Sequence, residues 1–349
     1  MTDKKKIVIV VGARPQFIKN APLELAMKNI YDLVVIHTGQ HYDEQMSKVF
    51  FDQLKLQMPN YQLQIGGGTH GKMTGLMLGK IEEVLLIEKP DATLVYGDTN
   101  STLAGALASA KLNIPVIHVE AGLRSYNKTM PEEVNRIMTD HLSSLLFAPT
   151  SLSVDNLKKE GIIKGVYEVG DVMVDSLLLA KSVLGPDINE NGSILLTLHR
   201  PYNTDVKGRI FEILKVLNSI GRKVIFPVHP RTRGILNQEV NIEMKFKNIS
   251  FIEPVSYFEL IKLQMESYCI ITDSGGIQKE AYLLKKRCIT LRSETEWVET
   301  LENGWNTLVF DSLTQLGNLV DRMPGAYIDG VYGVGKTAES ICELINESI

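Results

Sequence analysis

Ile7-Val8-Ile9-Val10-Val11-Gly12-Ala13-Arg14-Pro15-Gln16-Phe17-Ile18-Lys19 decides the fold. It opens with five apolar β-branched residues without alternation, turns at a glycine and ends in a helical pattern. A continuous apolar run of this kind is a strand buried on both faces, as in a parallel sheet covered by helices. The unit recurs. Residues 33–37 run into Thr38-Gly39-Gln40, residues 92–96 into Gly97-Asp98-Thr99 and an Ala/Leu-rich helix, and residues 114–119 into Glu120-Ala121-Gly122. After Gly170 a second series begins, with strands expected at 194–198, 223–228, 249–252, 269–272 and 287–291. Residues 172–184 read as a helix between the series, and Leu184-Gly185-Pro186-Asp187 as a linker. The pattern predicts an α/β chain of two doubly wound domains facing a central cleft. The expected division is 1–171, 172–330, and a terminal helix within 331–349 that crosses back to the first domain.

Composition agrees. The chain has 349 residues, which suits two domains at about 100–200 residues each. Apolar residues make up 44% and charged residues 22%, so each domain can bury a core and wholesale disorder is excluded. Lys+Arg 37 minus Asp+Glu 41 gives a net charge of −4. That argues against a broadly basic nucleic-acid face, though not against a local basic pocket. Cys269, Cys288 and Cys342 are far apart and lack metal-ligand spacing, so reduced, buried thiols are expected. No apolar run reaches the roughly 18 residues of a membrane helix. The start, Met1-Thr2-Asp3-Lys4-Lys5-Lys6, leads into the strand without a signal-peptide core, and a cytoplasmic protein is expected.

In open α/β sheets ligands bind outside the carboxyl ends of the strands. The informative residues are therefore Gly12/Arg14, Gln40/His41, Asp98, Glu120, His199/Arg200, His229, Ser274-Gly275-Gly276 and Arg292. The segment Thr272-Asp273-Ser274-Gly275-Gly276-Ile277-Gln278-Lys279-Glu280 reads as strand, tight turn and helix. Such a turn aims backbone N–H groups and the positive end of a helix at a phosphate or diphosphate. Ser274 adds a hydroxyl donor and Glu280 a carboxylate for ribose hydroxyls; an ordinary glycine-bearing loop is the alternative. Residues 12–19 share the topology without a G-x-G-x-x-G fingerprint, so a dinucleotide cofactor is not supported. Arg14 and Lys19 either reach over one helix start or are solvated charges.

Asp98 and Glu120 lie at successive strand ends, and Pro131-Glu132-Glu133 opens a helix where acids suit the dipole. One of Glu132 and Glu133 is expected to be a dipole partner only. Carboxylates gathered at one site raise each other's pKa and form an acid/base set. His199 and His229 lie at strand ends of the second series; without H-x-x-x-H spacing a metal site is disfavoured. Gly330-Val331-Tyr332-Gly333-Val334-Gly335-Lys336-Thr337 matches a P-loop letter for letter. The sheet a P-loop serves has no room in the residues that follow, so this reads as a turn before a terminal helix.

Together these residues resemble the non-hydrolysing UDP-N-acetylglucosamine 2-epimerase family, whose fold is GT-B-like with two Rossmann-like domains. The resemblance rests on Gly12-Ala13-Arg14-Pro15-Gln16, Gly97-Asp98-Thr99, His118-Val119-Glu120-Ala121-Gly122-Leu123-Arg124, Pro131-Glu132-Glu133-Val134-Asn135-Arg136 and Asp273-Ser274-Gly275-Gly276-Ile277-Gln278-Lys279-Glu280. It implies an isomerase that inverts C2 of a UDP-2-acetamido sugar by anti elimination of UDP to a glycal and re-addition, supplying surface polysaccharide precursors. It implies Asp98, Glu120, Glu132 and His199 as catalytic residues. Arg14, Lys19, Arg136, Arg200, His229, Arg292 and the turn of Ser274, Gly275 and Gly276 would meet substrate and diphosphate. Glu280 would hold ribose, and backbone around Tyr257 and Leu260 the uracil. It implies no metal or organic cofactor, no nucleic-acid or membrane partner, and a homodimer.

Two departures bear on the substrate. The family often carries Thr-Glu-Arg-Pro-Glu where this chain has Thr295-Glu296-Trp297-Val298-Glu299, so Trp297 replaces an Arg that approaches the diphosphate. Ile65-Gly66-Gly67-Gly68-Thr69-His70-Gly71 is also unlike the commonest members. The pattern is similar to the branch acting on UDP-2,3-diacetamido-2,3-dideoxy-glucuronate, whose extra carboxylate would call on Lys128 or Arg124. Gln40-His41 is similar to the regulatory UDP-GlcNAc site of some bacterial members, and Asp43 departs from the Gln often found there. A GT-B glycosyltransferase, a hydrolysing epimerase releasing free ManNAc, and a non-catalytic UDP-sugar sensor are the alternatives.

Overall fold

The computed structural model describes residues 4–40, 56–206, 208–237, 239 and 241–349. His41 and Asp43 of the expected regulatory site lie outside the described residues. The chain divides into two compact units, Met1–Leu179 with Gly330–Ile349, and Ala180–Asp329.

The first unit contains β1 (Lys6–Val11), α1 (Arg14–Met27), β2 (Asp32–His37), β3 (Tyr61–Gln62), α2 (His70–Glu88), β4 (Ala92–Tyr96), α3 (Asn100–Lys111), β5 (Val116–Val119), α4 (Pro131–Leu142), β6 (Leu145–Ala148), α5 (Ser151–Lys159), β7 (Val166–Glu168) and most of α6 (Val172–Leu184). Its sheet has the order β3-β2-β1-β4-β5-β6-β7, every pair parallel. Ile7, Val8, Ile9, Val10 and Val11 are all fully buried, which is worth about 1.5–3 kcal/mol for each large side chain. Helix α3 lies close on β1 and β4 because Gly105 faces them: a Cβ there would come within 3.1 Å of Val95 Cγ1 and 3.2 Å of Val10 Cβ.

The second unit contains β8 (Ile194–Thr197), α7 (Pro201–Thr204), α8 (Arg209–Ser219), β9 (Val224–Pro227), α9 (Pro230–Leu236), α10 (Ile242–Lys245), β10 (Ile249–Ile252), α11 (Tyr257–Glu266), β11 (Cys269–Thr272), α12 (Gly275–Leu283), β12 (Arg287–Thr290), β13 (Asn306–Leu308) and α13 (Leu316–Asp321). Its parallel sheet runs β10-β9-β8-β11-β12-β13. Counted from its own first strand, each sheet reads 3-2-1-4-5-6, and the first adds a seventh strand. The order reverses between β1 and β4 in one and between β8 and β11 in the other, and such switch points open the ligand crevice of a doubly wound sheet. The residues just beyond those strands are Gly12 and Gly97-Asp98, and His199 and Asp273-Ser274.

Nine strands are expected from the pattern; β3, β6, β7 and β13 are additional. Leu145-Leu146-Phe147-Ala148 contains no β-branched residue and so lacks a strand's compositional mark, although all four are buried. The other three are only two or three residues long and half-exposed in part.

The letters of the P-loop match form the approach to the terminal helix α14 (Thr337–Ser348), which belongs to the first unit and packs on α1. Asp175 of α6 fills its start: Oδ1 accepts from Ala338 N at 3.0 Å and Oδ2 from Thr337 N at 3.3 Å. Gly335 is pressed against Leu178, where a Cβ would come within 2.1 Å of Cδ1. Among the described residues no helix is long and apolar enough to cross a membrane.

Candidate active site

In the first unit, Gln16 ties the tips of β1 and β4 together. Its Oε1 accepts from Gly12 N at 2.7 Å and Ala13 N at 3.1 Å. Its Nε2 lies 2.8 Å from Tyr96 O, 3.0 Å from Thr99 Oγ1 and 2.9 Å from Thr102 Oγ1. Asp98 follows β4. Arg136 of α4 donates from Nη2 to its Oδ2, and Asn135 Nδ2 donates to its carbonyl at 2.9 Å. Glu120 follows β5 and pairs with Lys19 of α1. Its carboxylate lies over Gly97, where a Cβ would come within 3.1 Å of Oε2.

Glu120 has φ = 73°, the left-handed region, which costs a non-glycine residue about 1–3 kcal/mol and persists only where its surroundings enforce it. Here Glu120 N and Ala121 N both donate to Phe147 O at 3.0 Å, and this pair of hydrogen bonds holds the turn. Desolvation pushes the Asp98 carboxyl above the usual Asp range. Arg136 opposes the shift, Glu120's charge adds to it and Lys19 opposes it. The two strand-end carboxylates therefore sense one another.

Behind them His118, wholly buried, places Nε2 2.8 Å from Gly97 O and Nδ1 2.7 Å from Asp140 Oδ1. Burial pushes the Asp140 carboxyl up, but the contacts from His118 and Arg124 outweigh it and hold it below the ordinary range. Arg124 is held by two carboxylates and a carbonyl: Nη1 donates to Asp140 Oδ2 and to Leu123 O, both at 2.7 Å, Nε to Glu160 Oε1 at 2.7 Å and Nη2 to Glu160 Oε2 at 2.8 Å. This corrects the expectation that Arg124 is a spare cation for a sugar carboxylate. Lys128 is exposed.

Glu133, in the first turn of α4, does more than suit the dipole. Wholly buried, it accepts from Ser125 N at 2.9 Å, Tyr126 N at 2.8 Å and Arg136 Nη1 at 3.1 Å, clamping the loop before α4. Half-buried Glu132 has a carboxylate that bonds to no other described residue. Arg14 is the first residue of α1, and its side chain lies outside the described part of the structure.

In the second unit the organising group is Asp273, wholly buried after β11. Its carboxylate accepts from His199 N at 3.1 and 3.2 Å, Arg200 N at 3.0 Å and Asn203 Nδ2 at 3.1 Å. His199 Nδ1 lies 3.3 Å away. Burial lowers the His199 pKa, Asp273 opposes this, and the charges of Arg200, His229 and Arg292 lower it further. Four of the residues singled out from sequence thus stand within electrostatic reach of one another.

Ser274 precedes α12 with its hydroxyl unused as a helix cap. Buried Arg292 donates to Glu296 Oε2 at 2.9 Å. Trp297 is also buried, and Lys279 Nζ stands 3.7 Å from the centre of its ring. A cation therefore remains beside the position where the family often carries Arg. Glu280 is buried and accepts from Gln264 Nε2 at 2.6 Å. Tyr257 opens α11, and Leu260 N is bonded to Ser256 O at 2.9 Å. Exposed His229 sits just before α9.

Gln16, His118, Asp140 and Asp273 were given no role from sequence, yet they position the loops that carry Asp98 and His199. The available signal was polarity in the wrong place, as with a histidine inside Val116-Ile117-His118-Val119. The unusual segment 65–71 leads to another such contact: His70 Nδ1 lies 3.1 Å from Asn100 Nδ2, and Asn100 Oδ1 accepts from Asn135 at 3.2 Å. Among the described residues no group of three or more His, Cys, Asp and Glu is arranged to hold a metal ion.

Residues 23–346 match the family model described as UDP-N-acetylglucosamine 2-epimerase. The chain is 53% identical to a UDP-N-acetylglucosamine 2-epimerase homolog of Methanococcus maripaludis, over 97% of this chain and 99% of that one. It is 47% identical to the UDP-2,3-diacetamido-2,3-dideoxy-D-glucuronate 2-epimerase of Pseudomonas aeruginosa, with the same coverage. The crystal structure of the Methanocaldococcus jannaschii UDP-GlcNAc 2-epimerase in complex with UDP-GlcNAc and UDP matches with a TM-score of 0.88 at 42% identity, covering 98% of this chain and 100% of that one. This α/β chain, with two parallel sheets and paired strand-end carboxylates, belongs to the UDP-N-acetylglucosamine 2-epimerase family and is an isomerase that inverts C2 of a UDP-sugar.

Proposed function

We propose that the sugar is a UDP-2-acetamido sugar and that inversion proceeds by anti elimination of UDP and re-addition. C2 has no adjacent carbonyl, so its hydrogen is not acidic in the substrate. A base takes the C2 proton while the C1–O bond breaks and its electron pair leaves with UDP, giving a 2-acetamidoglucal. An acid then returns a proton to the opposite face of C2, and a diphosphate oxygen re-forms the bond to C1. Proton and leaving group are both restored, and nothing is oxidised or reduced.

Asp98, Glu120 and Glu132 do the acid/base work. His199 assists the diphosphate, with Arg14, Lys19, Arg136, Arg200, His229, Arg292 and the turn of Ser274, Gly275 and Gly276 stabilising its charge. Glu280 meets ribose, and the backbone around Tyr257 and Leu260 meets uracil. The observation that carries this reading is the Asp98–Glu120 pair: two carboxylates at adjacent strand ends, each with its own cation, one with its pKa raised in part by the other. The substrate we put first is UDP-GlcNAc, converted to UDP-ManNAc by a cytoplasmic homodimer for surface polysaccharide precursors. UDP-2,3-diacetamido-2,3-dideoxy-glucuronate is the second reading, favoured by Trp297 and by the 47%-identical Pseudomonas aeruginosa relative.

Incubation with UDP-GlcNAc in D2O tests the proposal by NMR. The expected product is UDP-ManNAc with deuterium at C2. Asp98→Asn and Glu120→Gln are expected to cut the exchange by about 10²–10⁴-fold and to leave UDP binding largely intact. Turnover without deuterium at C2 sinks the mechanism. Free UDP and free sugar in equal amounts mean a hydrolysing enzyme, and turnover of the diacetamido-uronate alone selects the second substrate.

A further inference from the structure

The start of α12 already holds an anion. A Cβ built on Gly275 would lie 2.5 Å from Glu296 Oε1, so this carboxylate rests on the backbone at the positive end of the helix. Its Oε2 takes a charge-assisted bond from Arg292 Nη2 at 2.9 Å, and Arg292 Nη1 stands 3.5 Å from Oε1. Trp297 Nε1 is 3.6 Å from the same Cβ position. Arg292 is only 6% exposed, and its charge reaches His199. A helix start and a buried guanidinium thus converge on one carboxylate. The carboxylate belongs to the segment Thr295-Glu296-Trp297, which adjoins the turn read as the diphosphate cradle.

We infer that Glu296 is a placeholder for the substrate diphosphate: it holds Arg292 and the α12 start in the free enzyme and is displaced when UDP-sugar binds. The inference rests on the reading of Ser274, Gly275 and Gly276 as the diphosphate turn. A buried guanidinium left without a partner is strongly destabilising, and Glu296 removes that penalty while the site is empty. The incoming diphosphate then takes over Arg292 as the carboxylate withdraws. The energy of the displaced contact is subtracted from the binding energy, so Glu296 weakens ground-state binding without touching the reacting carbons.

Glu296→Gln keeps the shape and removes the competing charge. Calorimetry is expected to give a UDP Kd about tenfold lower, or about 1.4 kcal/mol. KM for UDP-sugar falls with it while kcat does not rise. Equal or weaker UDP binding overturns the inference, because a residue that merely holds Arg292 in place would lower affinity when altered. Thermal melts supply a readout that needs no UDP. Gly275→Ala is expected to lower the melting temperature at least twice as much in the wild-type background as in Glu296→Ala, where the colliding carboxylate is gone. Equal costs in both backgrounds overturn the placement. A wild-type protein that binds no UDP overturns the diphosphate reading and this inference together; one that binds UDP, with no gain in the Gln variant, overturns the inference alone.

Discussion

The edge at Asp98 and the edge at His199 share a topology and reverse the placement of charge. At the first, the Asp98 side chain is 30% exposed and its partner Arg136 only 7%. At the second, the His199 side chain is 41% exposed and its partner Asp273 wholly buried. Which partner is recessed decides what the edge presents: carboxylates in the first unit, an imidazole in the second. The recessed partner also does different work. Arg136 and Lys19 hold carboxylates that remain at the strand ends, whereas Asp273 is consumed by backbone N–H groups and shapes the loop that carries the cations. A strand-end acid is thus left at the edge at one switch point and used as a fastener at the other.

Asp98→Asn is the substitution with the largest expected effect. C2 exchange, followed by NMR, is expected to fall by about 10²–10⁴-fold, the usual contribution of a positioned acid/base. Stability is expected to move the other way. A carboxyl whose pKa is raised on folding binds its proton more tightly in the native state, so its contribution to stability is full below the ordinary Asp range and is lost as pH rises through the raised value. The Asn variant, which never ionises, lacks that slope, and at neutral pH its melting temperature is expected to be no lower than wild type. A variant that loses exchange because it unfolds would show that Asp98 is a fastener after all, and the contrast with Asp273 would collapse.

Asp273→Ala is the converse. Removing its carboxylate leaves His199 N and Arg200 N without their acceptor and Asn203 Nδ2 with Leu291 O alone. The expected loss is about 1–3 kcal/mol of stability by denaturant unfolding, with weaker UDP binding as the cation loop loosens. Unchanged stability would remove Asp273 from the role assigned to it.

The strand ends were legible because long apolar runs mark strands without any knowledge of their neighbours, and Asp98, Glu120, His199 and Ser274 follow such runs directly. Partnership was not legible. Gln16 meets Tyr96, and Asp273 meets His199, only because β1 adjoins β4 and β8 adjoins β11. That adjacency belongs to the sheet order rather than to any local spacing. Arg124 illustrates the cost: beside Glu120-Ala121-Gly122 it looks available, but Asp140 and Glu160, each contributed by a separate stretch of chain, occupy it completely. The glycine letters at 330–337 were legible because a P-loop is defined by the strand before it and the sheet after it, which this segment lacks; the filled helix start was not.

That second filled helix start supplies the smallest effect and the sharpest control. Asp175 caps α14 as Glu296 sits at α12, but Asp175 is buried, bonded to Thr337 N and Ala338 N, and far in sequence from every strand-end residue of the candidate site. Asp175→Ala is expected to cost about 1 kcal/mol, the usual worth of a helix cap, read as a lower denaturant midpoint. UDP affinity should stay at the wild-type value. The Glu296 substitution should do the opposite, raising affinity, because a carboxylate that must leave for the ligand is tied to binding and one that never leaves is tied only to folding. If the Asp175 variant also tightened UDP binding, carboxylates at helix starts would act on the ligand at a distance, and the separate treatment of the two would fail.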